Sequence, residues 1–241
     1  MITLLRADLV RLRTLRSHHV VVAVLLGLVA LITAGSMSDA GSAGFNSPAE
    51  LREPITASVG IMVAVALALF AATRVAGEYR FGTLSQRLLA APRRTQLLLV
   101  TLTTHGVLGL VLGAGALGLG AGIAAPMLAD KDLSIELSAS IAASVLLATV
   151  AFSLIGVACG VIFRSQPAAV MVIVGMFVAE KILGMFIGGA AAYLPYGLLT
   201  PLLRMEGATI GAGAAAISLV TITAALTGLA LVLFNRRDVT P

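Results

Sequence analysis

Two ionisable side chains lie deep inside long apolar runs of this sequence, and they are its first candidates for chemistry. Glu180 stands about thirteen residues into one run and His105 about ten residues into another. A charge in hydrocarbon is costly unless paired or hydrated, so such residues tend to mark proton relays, ion paths or substrate contacts. Three readings of Glu180 are open: a polar contact to a cationic substrate, a brace for an outer hairpin, or a hydrogen bond to another apolar segment through Thr149, Thr221 or Thr223. Lys181 adjoins it, but helix neighbours point about 100° apart. Lys181 therefore snorkels to a surface while Glu180 faces the protein interior. His105 reads as a packed, hydrogen-bonded histidine, with a proton relay as the alternative.

Other chemistries lack their residues. The only lysines, Lys131 and Lys181, follow Asp130 and Glu180, so no Gly-Lys-Ser/Thr phosphate loop exists and ATP hydrolysis is not expected of this chain. The histidines are His18, His19 and His105; there is no H-E-x-x-H, and no G-x-S-x-G. His18 and His19 stand at the mouth of the first apolar run, where polar rings end a helix. Cys159 is the sole cysteine, which excludes an internal disulfide and a cysteine-based metal site. No catalytic residue, metal site or cofactor bound by this chain is expected.

The elements that must position Glu180 and His105 follow from composition. Hydrophobic residues make up 59% of the 241, charged residues only 11%, and the mean hydropathy is +1.05. Soluble proteins carry about one-quarter charged residues. The expected fold is all-α, a polytopic membrane protein forming one transmembrane domain over 1–241. Six spans of about 20 residues are legible: Val20–Met37, Ile55–Val75, Gln96–Met127, Leu137–Phe163, Ala168–Gly189 and Ile210–Phe234. In coarser terms, a cytoplasmic interfacial segment (1–19) precedes spans 1 and 2 (20–75). A cytoplasmic segment (76–95), spans 3 and 4 (96–163), spans 5 and 6 (168–234) and a cytoplasmic tail (235–241) follow. The first run lacks a following Ala-x-Ala site and is expected to be a retained span. The third exceeds the need and is expected to tilt or to end near the outer surface.

The net charge of +5 could suggest nucleic acid, but the charges sit in short loops between apolar runs. Twelve arginines, from Arg6 to Arg237, fall on the side of the termini, against Arg52, Lys131 and Arg204 on the other. That asymmetry puts both termini in the cytoplasm. Gly109–Gly113 and Gly118–Gly122 are G-x-x-x-G spacings that allow close helix approach. No internal repeat supports an inverted-repeat transporter. The Ala, Gly and Arg richness points to a GC-rich bacterial genome and to the bacterial cytoplasmic membrane.

The second cytoplasmic segment, RVAGEYRFGTLSQRLLAAPRRTQ (74–96), is the most informative stretch. Gly82 offers a turn, Thr83 and Gln86 have capping-box spacing, and Pro92 disfavours helix before it. Between them fits a helix of two turns with Leu84, Leu88 and Ala91 on one face. So short a helix is unstable alone in water, and the membrane surface or a partner groove is expected to cover that face. Glu78, Gly82, Thr83, Leu88, Leu89, Pro92 and Arg93 resemble the coupling segment of ABC type-2 exporter permeases. ADLVRLRTLRSHH resembles that family's basic interfacial entry helix, and YLPYGLLTPL (193–202) its proline-containing outer hairpin. The first outer loop is too short for an extracellular capture domain.

The resemblance implies a permease dimer, with itself or a sibling, docked to two cytoplasmic ATPase subunits that hold ATP and Mg. On it, Gly82, Thr83, Leu84, Arg87 and Leu88 form the docking contact and Glu78 orients the segment, while Glu180 and His105 are substrate-path candidates. The implied activity is ATP-driven export of a hydrophobic or amphipathic molecule such as a drug, a peptide antibiotic or a lipid-linked molecule. The competing classes are a proton-coupled carrier using Glu180 and His105, a non-transporting membrane scaffold, and an intramembrane enzyme.

Overall fold

A computed structural model describes residues 16–38, 40, 48–90, 93–131, 133, 135 and 137–237. The expected interfacial helix before Arg16, the residues Ala91 and Pro92, and the tail beyond Arg237 lie outside them. No strand occurs among the described residues. Six helices are long and apolar enough to cross a membrane, so the chain is an all-α, multi-pass membrane protein. In hydrocarbon each backbone N–H and C=O must be bonded within its own segment, which the helix alone achieves for a single span.

Span 1 is α1 (Arg16–Ser38). Span 2 joins α2 (Pro48–Ala57), a π-helical turn (Ser58–Val63) and α3 (Ala64–Arg80). The short α4 (Thr83–Ala90) leads to span 3, α5 (Arg94–Ala129), and span 4 is α6 (Ala139–Phe163). Span 5 is α7 (Gln166–Ile187), continued as a 3₁₀ turn (Gly188–Tyr193), and a hairpin with the one-turn α8 (Leu199–Leu202) precedes span 6, α9 (Ala212–Arg236). All six lie where the hydropathy put them. At 36 residues, α5 is roughly 54 Å long, well beyond the hydrocarbon thickness.

Hydrogen bonds define the two ends of the bundle. At one, Arg94 Nη1 donates to Arg237 O (3.0 Å), Arg237 Nη1 to Ile162 O (3.1 Å) and Arg80 Nη1 to Gln166 Oε1 (3.3 Å). At the other, Arg52 Nη2 donates to Arg204 O (3.3 Å). There too Lys131 Nζ donates to Met37 O (3.0 Å), Ser38 O (2.7 Å) and Ala40 O (2.6 Å). These are carbonyls at and just beyond the C-terminus of α1, where a helix has unsatisfied acceptors and negative dipole charge. Lys131 is thus a cap for span 1, a role its loop position did not announce.

α6 is the central element, packed by α3, α5, α7 and α9. Apolar burial drives little helix association in lipid, so close packing must do it. Gly156 lies so near the backbone of Ala68 that a Cβ there would collide with it, and a Cβ on Gly160 would come 2.8 Å from Val75 Cβ. Gly156 and Gly160 are a G-x-x-x-G pair on span 4. Of the two pairs expected on span 3, Gly109–Gly113 does pack, against Thr149 of α6, whereas no neighbouring atom lies within 4 Å of where a Cβ would stand on Gly118 or Gly122. Spacing reveals that a face is small, and only the fold decides whether a helix lies on it.

Gly156→Leu must separate two backbones and should cost about 1–3 kcal/mol or more. Gly118→Leu should stay within about 0.5 kcal/mol of the parent. Thermal denaturation of both variants in detergent checks this, and equal melting of Gly156→Leu and the parent would refute the close crossing.

Candidate functional site

The arginine-rich end of the bundle carries the first candidate site. α3 ends at Arg80, and Gly82 turns the chain with a φ of 65°, a backbone conformation open to glycine. Thr83 begins α4 instead of capping it, and its hydroxyl donates back to Glu78 O (3.5 Å). Arg87, one turn into α4, donates from Nη1 to both carboxylate oxygens of Glu78 (2.6 and 2.7 Å). Glu78 is buried and the Arg87 side chain is 19% exposed. The ion pair therefore ties α4 to the last turn of span 2, in surroundings drier than an ordinary surface bridge.

The apolar face of α4 is covered from within. Leu84 is buried and Leu88 half-buried, in a cluster with Val75, Leu97, Leu98, Val161 and Phe234. The chain's own spans thus cover Leu84, which the sequence expectation had left to the membrane surface or a partner, and they cover Leu88 in part. Leu84 faces the bundle, Glu78 and Arg87 face each other, and Gly82 and Thr83 are half-buried. The exposed side of the segment is formed by Phe81, Ser85, Gln86 and Leu89. Phe81 is 69% and Leu89 87% exposed. Arg80 stacks its guanidinium 5.5 Å from the Phe81 ring centroid, and Arg164 lies 5.2 Å from that of Tyr79.

The second site lies towards the other end. Glu180 is buried, and its Oε2 accepts the backbone N–H of Tyr196 and of Gly197, each at 2.9 Å. Tyr196 donates its hydroxyl to Ile173 O (2.8 Å) and sits edge-on to Phe152 and Phe177, with ring centroids 5.1 and 5.2 Å away. Leu198, Leu199, Leu202 and Leu203 carry the hairpin into the core, where Leu203 covers Gly60 of the π-helical turn. Of the three readings of Glu180, the geometry is that of the brace. Thr149, Thr221 and Thr223 donate to carbonyls of their own helices.

His105 is also buried, with Nδ1 donating to Thr101 O (2.8 Å), while Ser153 of α6 donates to His105 O (2.8 Å). It is a packed, hydrogen-bonded histidine of the α5–α6 contact. Two cavities flank the hairpin and share Ile61. One of about 320 Å³ is lined by Phe177, Glu180, Lys181, Tyr196 and Thr200 among others. The other, about 790 Å³, has Glu50, Glu53 and Glu206 beside Ile32, Met62 and Met205. Arg52 is legible in the sequence only as a charge, and Phe81, Gln166 and Tyr196 have no role assigned there; each works through a contact distant in the chain or through exposure, for which no local signal exists.

No protein-family model and no curated protein matches this chain.

Replacing Arg87 by alanine should loosen α4. Hydrogen bonds to a charged group contribute about 1.5–3 kcal/mol, so amide exchange over residues 83–90 should rise about ten- to hundredfold. Unchanged exchange would mean that Leu84 and Leu88 alone hold the segment.

Proposed function

We propose that this chain is the membrane-spanning permease subunit of an ATP-driven exporter of the ABC type-2 kind. Its substrate is a hydrophobic or amphipathic molecule: a drug, a peptide antibiotic or a lipid-linked molecule. The observation that carries this reading is the clamped segment after span 2. A helix too short to stand alone is fixed to the bundle by the Glu78–Arg87 pair and the Leu84–Leu88 face. It presents Phe81 and Leu89 outward at the arginine-rich end. A rigid lever with apolar tips is what a moving cytoplasmic subunit needs in order to push on the spans. Exposed apolar residues rimmed by charge mark interaction surfaces.

On this reading the arginine-rich end and both termini are cytoplasmic, in the cytoplasmic membrane of a bacterium. The permease pairs with a copy of itself or with a sibling, and two ATPase subunits supply the ATP and Mg chemistry. The docking contact passes from Leu84 and Leu88 to Phe81 and Leu89. Gly82 and Thr83 remain at the turn, and Glu78 and Arg87 stiffen it. The proton-coupled alternative gains little support from His105, whose Nδ1 is committed to its own helix.

Purification through a C-terminal tag from the native host, in mild detergent, should bring a stoichiometric protein carrying a phosphate-binding loop. A clean, folded preparation without one would overturn the exporter reading. Phe81→Asp and Leu89→Asp should each reduce ATP-driven efflux about tenfold or more while leaving insertion and melting unchanged. Leu84→Asp should instead destabilise the protein. Normal efflux by the Phe81 and Leu89 variants would move the coupling contact elsewhere.

A further inference from the structure

The larger of the two cavities, about 790 Å³, opens between α1, the start of span 2 and the hairpin. Its size is that of a small-molecule site. Glu53 of α2 and Glu206 of the hairpin, far apart in the chain, both line it, and Glu50 adds a third carboxylate to the wall. Glu53 is half-buried and Glu206 exposed, and neither has an ion pair or a side-chain hydrogen bond among the described residues. Unlike Glu180 Oε1, the oxygens of both keep accessible surface.

The cations of this end are turned elsewhere. Arg52 donates to Arg204 O, Lys131 donates to the carbonyls that end span 1, and no lysine or arginine lines the cavity among the described residues. Away from the carboxylates the wall is apolar. Ile61 and Met62 lie roughly 12 Å beyond Glu53 along span 2, and Ile32 of α1 and Met205 face the same space. A cleft lined by one sign of charge concentrates ions of the other, and methionines adapt their shape to an apolar body. A negative mouth on an apolar pocket therefore selects an amphipathic molecule whose charged end is positive. A zwitterionic lipid headgroup fits poorly, because its phosphate adjoins its ammonium and this wall offers no cation to receive it.

We propose that this cavity binds a net-cationic amphipathic molecule, with its charged group at Glu53 and Glu206 and its apolar body against Met62 and Met205. Binding needs no ATPase, so it is tested on the isolated chain and stands or falls separately from the exporter reading.

The chain is reconstituted in phosphatidylcholine nanodiscs and irradiated with (para-benzoylbenzyl)trimethylammonium. The control is para-neopentylbenzophenone, which has the same shape with a neutral carbon in place of the nitrogen. Excited benzophenone attaches to the C–H groups it touches, and mass spectrometry locates the adducts. Saturable labelling of Met62 and Met205 by the cation, displaced by excess benzyltrimethylammonium, is the expected result, with about tenfold less from the neutral control. The double variant Glu53→Gln, Glu206→Gln should lower labelling by the cation to the level of the control with melting unchanged, because neither carboxylate holds another described residue. Ala57 also lines the cavity, so Ala57→Phe should fill it and abolish labelling with both carboxylates in place. Replacing part of the phosphatidylcholine by phosphatidylethanolamine should leave labelling unchanged; its loss would give the cavity to a lipid headgroup and overturn the proposal. Equal labelling by cation and control, or undiminished labelling of the double variant, overturns it as well.

Discussion

In the crossing of α3 over α6, the backbones at Ala68 and Gly156 come closer than any side chain would permit. Within hydrocarbon, burying a leucine against another leucine gains little over burying it in lipid, so helices are held by contact that lipid tails cannot match. Dispersion falls steeply with distance, and small residues are the means by which two backbones come near enough to use it. α6 then offers its remaining faces to α5, α7 and α9. The π-helical turn and the hairpin are packed above the same crossing. Both candidate sites take their places from that framework, one at each end of it.

The two ends solve their backbone problem differently. At the arginine-rich end, long side chains reach from one span to another's terminal carbonyl, as Arg94 does to Arg237 and Arg237 to Ile162. Those arginines serve as donors for helix ends. At the other end a single lysine, Lys131, closes span 1, and the hairpin folds back into the core under the grip of Glu180. A carboxylate is suited to that task because one oxygen can accept two adjacent N–H groups of a tight turn. The cost of burying it is offset in part by the two N–H groups it accepts, and a non-helical segment within a membrane is tolerated only when buried in protein.

The fold was largely legible. Six apolar runs, their limits within a few residues, the overlong third span and the short helix at Thr83–Ala90 all follow from hydropathy and breakers. The sites were legible in part. Glu180 and the 74–96 segment stood out because charge in an apolar run and an isolated two-turn helix are both anomalies. The function of each residue within them was less so. Leu84 and Leu88 read as an outward docking face, because an apolar stripe looks the same whether a partner or the chain's own spans cover it. Arg87 belongs to the docking contact that the resemblance implies, and nothing local in the sequence announces that its guanidinium pairs with Glu78.

By itself the sequence determined everything that depends on summed local properties: helical spans, because each must satisfy its own backbone, and the absence of a phosphate-binding loop, because the motif is contiguous. Tertiary structure alone decided which glycines touch a neighbour, which leucines of α4 are covered, and that Glu180 holds the Tyr196–Gly197 turn. Those are pairwise facts between residues far apart in the chain. They depend on the rotation of each helix about its axis, and a step of about 100° per residue means that a small change of phase exchanges a buried face for an exposed one.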